Sequence, residues 1–220
     1  MTFTSKVVQL VLLEARLEWK NKQSITALLI YSFASIFVTY LAFQQTIDLT
    51  TWNSLFWLIM LFASTNAIAK SFLQDSKGLQ LYYYSMLSPK HIIIAKIIYN
   101  LILLSGLSLV NFFIFQLVFS ITIDQLAQYL LSILLGSIGL STVLTMVAGI
   151  VSKANNNAAL LAILGFPLLF PLLSIIIQCS MNAINGFDWI VNQQLFIVLI
   201  SLNLITVLLS YLLFPYLWRE

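Results

Sequence analysis

The sequence predicts an all-α, polytopic membrane protein with six transmembrane helices, and three observations carry that reading. Hydrophobic residues make up 61% of the 220 residues and charged ones 8%, against roughly 25% charged in soluble domains. Six apolar stretches stand out, at approximately Ile25–Phe43, Trp52–Ala69, Ile97–Phe119, Leu126–Val151, Ala158–Gln178 and Leu195–Tyr216, each close to the roughly 20 residues that cross a hydrocarbon core. All ten Lys and Arg residues fall in alternate connecting segments: Lys6, Arg16, Lys20 and Lys22 before the first stretch, Lys70, Lys77, Lys90 and Lys96 between the second and third, Lys153 between the fourth and fifth, and Arg219 after the sixth. The intervening segments carry Asp48, Asp124 and Asp188 and no basic residue. Positive segments stay in the cytoplasm, so both termini are expected there.

Backbone amides in lipid need internal partners, so long apolar runs are read as helices; a β-barrel would show short alternating segments instead. The formal charge of +3 then marks orientation in a membrane and is not a nucleic-acid signal.

Residues 1–23 are expected to form a cytoplasmic amphipathic helix. Val7, Leu10, Val11, Leu13 and Leu17 can share one face while Lys6, Gln9, Arg16 and Lys20 look toward water. Glu14, Arg16 and Glu18 stand where a signal peptide would have small residues and a cleavage site. Glu18 and Lys22 are spaced for a helical ion pair, and Trp19 suits the headgroup layer. A plain membrane-surface anchor fits the same pattern.

The segment Lys70–Lys96 is the longest cytoplasmic connection. Asp75-Ser76-Lys77-Gly78 is a turn-forming cluster. Leu79, Tyr82, Tyr83, Met86 and Leu87 then recur at helical spacing and make an apolar stripe. Ser88 suits an N-cap and Pro89 the first helical position, so a helix is expected to start there and run through Lys96 into the third span. Such an element, held between two membrane helices, can pass a push from a soluble partner into the bundle; it can equally be a helix that covers the bundle floor.

No Asp, Glu, Lys, Arg or His lies near the middle of any span, which counts against an ion-driven carrier. His91 stands alone at the start of the third span, and Cys179 is the single cysteine; metal sites recruit several such ligands, and one cysteine forms no internal disulfide. No phosphate-binding loop of the G-x-x-x-x-G-K-[ST] type is present, and no catalytic constellation stands out, so the chain is expected to be a non-catalytic subunit. In the fifth span Pro167 and Pro171 predict a kink or break. Gly136, Gly139, Ser141, Ala148 and Gly149 can permit close helix contact in the fourth, and mid-span Asn111 and Asn203 can bond between helices. Met60 and Met146 also lie within spans, as packing.

In order, the chain has an amphipathic N-terminal helix, two spans, a segment Asp75-x-x-Gly78 followed by Ser88-Pro89 and Lys96, and four more spans, the fifth with a Pro167-x-x-x-Pro171 core. This arrangement resembles the membrane subunit of an ABC-2 type exporter, and within that group the haem exporter protein B family of bacterial cytochrome c maturation. The resemblance covers essentially the whole chain. It is strongest over Phe72–Lys96 and Lys153–Ile175, where Lys153-Ala154-Asn155 and Leu164–Leu173 match the family's short basic loop and proline-bearing helix.

The resemblance implies an inner-membrane permease that binds no cofactor itself and pairs, as a homodimer, with an ABC ATPase subunit that binds ATP. It further implies a haem-handling membrane protein and a small single-span protein as partners, with haem moved or handed to a periplasmic chaperone. Asp75, Gly78, Leu79, Tyr82, Tyr83, Met86, Ser88 and Pro89 would contact the ATPase. The same architecture serves ABC-2 permeases for lipid, glycan or drug cargo, and a scaffold without a transport step shares its amphipathic segments.

Overall fold

A computed structural model describes residues 3–20, 22–43, 47–73, 88–153 and 158–217, which form seven helices and no strand. They are α1 (Phe3–Lys20), α2 (Lys22–Phe43), α3 (Leu49–Leu73), α4 (Pro89–Phe119), α5 (Leu126–Lys153), α6 (Ala158–Ile184) and α7 (Trp189–Leu217). All but α1 are long and apolar enough to cross a membrane. At about 1.5 Å per residue, the 31 residues of α4 exceed a hydrocarbon core of about 30 Å, so an end of this helix projects beyond it.

The bundle is built around α5, which packs against α3, α4, α6 and α7. Its span is 72% buried, against 22% for that of α2. A helix so enclosed would normally be apolar all round, yet Ser132, Ser137, Ser141, Thr142 and Thr145 are fully buried on it. Their hydroxyls return to carbonyls of the preceding turn or reach neighbours: Ser137 to Ser108 of α4 at 2.8 Å and Thr142 to Thr206 of α7 at 3.0 Å. Hydroxyls and small residues let apolar helices approach closely where water is absent. Gly136 and Gly139 show how closely: a Cβ on the first would lie 2.5 Å from the Trp57 ring, and on the second 2.6 Å from a Leu172 methyl.

Two mid-span asparagines tie the helices to one another. Asn111 donates to the Met60 sulfur at 3.2 Å, joining α4 to α3, and Asn203 donates to the Leu135 carbonyl at 3.1 Å, joining α7 to α5. Between α2 and α4, Phe33, Ile36, Phe37, Tyr40, Ile114, Leu117 and Val118 line an apolar groove of about 480 Å³, consistent with α2 being the least buried span.

The break expected in α6 does not occur: the helix runs uninterrupted through Pro167 and Pro171. Each proline lacks an N–H and frees one carbonyl four residues back, that is, at Ile163 and Pro167. Leu161, Leu169, Leu172 and Ile176 of the same helix are buried in the main core, and this packing carries the helix past the two missing bonds. Both prolines sit on the exposed face beside Phe166 and Phe170, whose rings are 6.2 Å apart.

Candidate functional site

The segment expected to meet a soluble partner is rooted between α3 and α4. Asp75, Gly78, Leu79, Tyr82, Tyr83 and Met86 lie outside the described residues. Ser88 and Pro89 are described: Ser88 has extended backbone angles (φ −78°, ψ 147°) and Pro89 opens α4, as its fixed φ favours. The Ser88 hydroxyl does not cap a backbone N–H; it pairs with Nδ1 of His91, one turn on.

Below this start, three helices are tied by buried polar groups. Lys96 is 2% exposed, and its ammonium lies 3.1 Å from a carboxylate oxygen of Glu14 on α1. It also donates to the carbonyl of Ser71 at 3.0 Å. α3 ends at Leu73, so this carbonyl belongs to the last turn, whose acceptors lack partners within the helix and attract cations. One lysine therefore caps α3, pairs with α1 and belongs to α4.

One turn further along α4, the Tyr99 hydroxyl donates to Glu18 of α1 and Asn100 donates to the Thr145 hydroxyl of α5 at 2.9 Å. Burial raises the Glu18 carboxyl above its ordinary range, with the Tyr99 hydrogen bond opposing that shift. Around the polar groups, Val7 and Leu10 of α1 pack with Ile92, Ile93, Ala95 and Ile97 of α4 and Phe214 of α7. The Lys90 ammonium sits 4.6 Å from the centre of the Tyr211 ring, a cation–π contact between α4 and α7.

This geometry changes the reading of α1. Val7 and Leu10 are buried as expected, but Leu17 is exposed, and Glu14 is buried on the same stripe. Glu18 accepts from the Tyr99 hydroxyl of α4, and the Lys22 side chain expected to pair with it lies outside the described residues. The apolar face of α1 is covered by protein, while Val8, Leu12 and Trp19 are exposed. Glu14, Ser71, Lys96 and Tyr99 were absent from the sequence-based site. The signal was there for two of them: Glu14 falls seven residues after Val7, on the apolar stripe, and Lys96 lies among Ile92, Ile93 and Ile97 at helical spacing.

The opposite, aspartate-bearing end is closed by neutral groups. Asn192 of α7 donates to Gln128 of α5 at 2.6 Å and to the Cys179 carbonyl of α6 at 3.2 Å. Asn182 donates to Asn192 at 2.9 Å, and Gln128 to the Phe187 carbonyl at 3.0 Å. The α6–α7 turn ends in a left-handed Gly186 (φ +76°), with Phe187 N–H on the Asn182 carbonyl and Gly186 N–H on that of Ala183. This is the Schellman pattern, in which glycine accepts the positive φ without a Cβ clash. Beneath it, Trp52, Phe56, Phe112, Phe115 and Tyr129 form an aromatic cluster, with Phe112 and Tyr129 centred 5.3 Å apart and Trp52 and Phe115 5.4 Å apart.

Groups with affinity for haem iron are dispersed. Cys179 is buried in the main core, Met60 is fully buried and receives the Asn111 amide, and His91 lies at the lysine end beside Ser88. Among the described residues, no three His, Cys, Asp or Glu side chains gather where they could hold a metal ion.

A search of curated proteins finds no match. The family model described as CcmB protein matches residues 5–217. That match includes all but the first two residues of α1, the root of the α3–α4 connection and all six long helices. The chain belongs to the CcmB family, and is thereby a multi-pass membrane protein and a haem exporter permease component of cytochrome c maturation.

Proposed function

We propose that this chain is the non-catalytic permease subunit through which ATP hydrolysis in a partner ABC ATPase drives haem export, or release of a haem-loaded periplasmic chaperone. The observation that carries the reading is the three-helix junction at the lysine end, where Lys96 joins α1, the end of α3 and the start of α4. A segment whose two roots are held this firmly can transmit force from a soluble partner to the bundle. Asp75, Gly78, Leu79, Tyr82, Tyr83, Met86, Ser88 and Pro89 form the contact with the ATPase. The lysine end faces the cytoplasm of a bacterial cell, both termini included, and the aspartate end faces outward across the inner membrane.

The chain binds no resident cofactor in this reading; haem is cargo and ATP belongs to the partner. It acts as a homodimer with the ATPase, a haem-handling membrane protein and a small single-span subunit. The dispersed positions of His91, Cys179 and Met60 favour mechanical action over axial ligation of haem, which needs a donor facing a cavity.

Replacing Leu79, Tyr83 and Met86 together with Asp tests the reading. Co-purification of the ATPase, or coupling of its hydrolysis to cytochrome c maturation, should be lost while membrane insertion persists. A normal complex with normal maturation would remove the contact from this segment. Purification of the wild-type chain with its haem-handling partners but never with an ATPase would favour a scaffold instead.

A further inference from the structure

The ion pair at the lysine end does more than a floor-covering helix requires. Burying two charges is expensive, and apolar residues in their place are often at least as stabilising. The neighbouring Val7, Leu10, Ile92, Ile93 and Ala95 already form an apolar contact between α1 and α4. Lys96 adds direction to that contact, because an ammonium has three donors and no acceptor. One is committed to Glu14 on α1 and another to the Ser71 carbonyl at the end of α3.

The placement matters because α3 ends at Leu73 and α4 begins at Pro89. Ser71 and Lys96 therefore bracket the chain segment between these helices, and a single side chain bonds its near root while standing on its far one. From there, Asn100 is one turn along α4 and reaches Thr145 on the buried axis of the bundle. Tyr99 makes a second bond to α1 through Glu18.

We infer that Lys96, with Glu14, is the positioning residue that makes α1, the end of α3 and the start of α4 move as one body when the ATPase displaces the segment between α3 and α4. This rests on the docking of that segment proposed above. Lys96 touches no nucleotide or cargo in this assignment; it converts a local push into a joint displacement of three helices. The path continues through Asn100 and Thr145 to α5, so the bundle axis receives the same movement.

The complete complex in native membranes reads coupling as the ratio of cytochrome c matured to ATP hydrolysed. Lys96→Met and Glu14→Gln should each retain the ATPase and its hydrolysis while lowering the ratio by about tenfold, within the range expected for substitutions along a coupling network. Lys96→Arg can still donate to both partners and should keep most of the ratio. Wild-type ratios in Lys96→Met and Glu14→Gln would overturn the inference. So would a loss of maturation that only follows a loss of bound ATPase.

Should Lys96→Met fail to accumulate, a Glu14→Cys/Lys96→Cys pair in a Cys179→Ala background decides. Bridging the two thiols with a short cleavable reagent should restore the ratio, and cleavage should abolish it. A ratio indifferent to the bridge would refute the rigid-body role. Docking is judged separately, by ATPase co-purification in the Leu79, Tyr83 and Met86 variants, so either idea can fail alone.

Discussion

The two ends of the bundle solve the same problem with different chemistry. At each, three or more helices must be joined where apolar packing thins out. The lysine end uses a buried ion pair, a charged donor on a helix terminus and a carboxylate–tyrosine bond. The aspartate end uses amides that satisfy one another and nearby carbonyls, above a closely packed aromatic cluster. Neutral networks of this kind are rigid and indifferent to ionic conditions once every group is paired. A charged junction is sensitive to the loss of either partner, because the remaining charge stays buried. The difference makes the aspartate end a fixed cap and the lysine end a junction suited to receive a force.

The largest effect should be all-or-none. Single cysteines placed at Asp48, Asp124 or Asp188 should react with an impermeant thiol reagent added outside intact cells, and cysteines at Lys77 or Lys153 should not. Reaction of the second set alone would invert the bundle and give the junction the wrong side for an ATPase. The buried native Cys179 should stay silent in both cases.

Next is the comparison of the junctions themselves. Glu14→Ala removes the carboxylate 3.1 Å from the buried Lys96 ammonium and should weaken docking of α1 by about 3–5 kcal/mol. Asn192→Ala strips partners from neutral amides at the other end and should cost about 1–3 kcal/mol. Amide exchange in α1 and in the α6–α7 turn reads the two losses separately. Equal losses, or a greater one at Asn192, would mean that charge gives the lysine end no special sensitivity.

A smaller contrast lies along the helices between the ends. Gly136→Ala would push a methyl group against the Trp57 ring, 2.5 Å away, whereas a Cβ at Gly106 meets nothing within 4 Å. The first should lose about 1–3 kcal/mol through overpacking, and the second should gain about 0.5–1 kcal/mol because alanine suits a helix interior better. Thermal unfolding in detergent would rank them. Trp57 also donates to Ser180 at 2.9 Å, so displacement of its ring should disturb the aspartate end first.

How much of this was legible follows the same division. Six long helices could be read because hydropathy and the charge alternation report on the bilayer as solvent, a property of whole segments. The start of α4 at Pro89 could be read because proline has few places in a helix. The junction was missed because hydropathy treats Lys96 as the edge of a span, whereas a charge with a carboxylate and a carbonyl partner can be buried beyond that edge. Nothing local identifies those partners: Glu14 and Ser71 are distant in sequence and meet Lys96 only through packing. The break expected at Pro167 and Pro171 is absent for the complementary reason, since packing of Leu169, Leu172 and Ile176 sustains a helix that the local rule would interrupt.

The smallest effect is the most direct test of the contrast between ends, because two carboxylates should respond to pH with opposite sign. Burial raises the Glu18 carboxyl above its ordinary 4.5, against the opposing hydrogen bond from Tyr99. The docked state then holds the proton more tightly than the undocked state, so docking of α1 weakens as pH rises from about 4.5 through the raised value and levels off above it. At the other end, exposed Asp48 accepts from the Thr51 N–H at 3.0 Å at the start of α3. Hydrogen bonds from Thr51 lower its carboxyl below the ordinary 3.8, so its contribution is present above that value and fades as pH falls through the lowered one. Amide exchange at the first turns of α3 and along α1, followed across the acidic range, should show these opposite slopes. Glu18→Gln should flatten the first and leave the second, and Asp48→Asn should do the reverse. If Glu18→Gln left the pH dependence of α1 unchanged, the buried carboxylate would not be what makes the lysine end respond to protons.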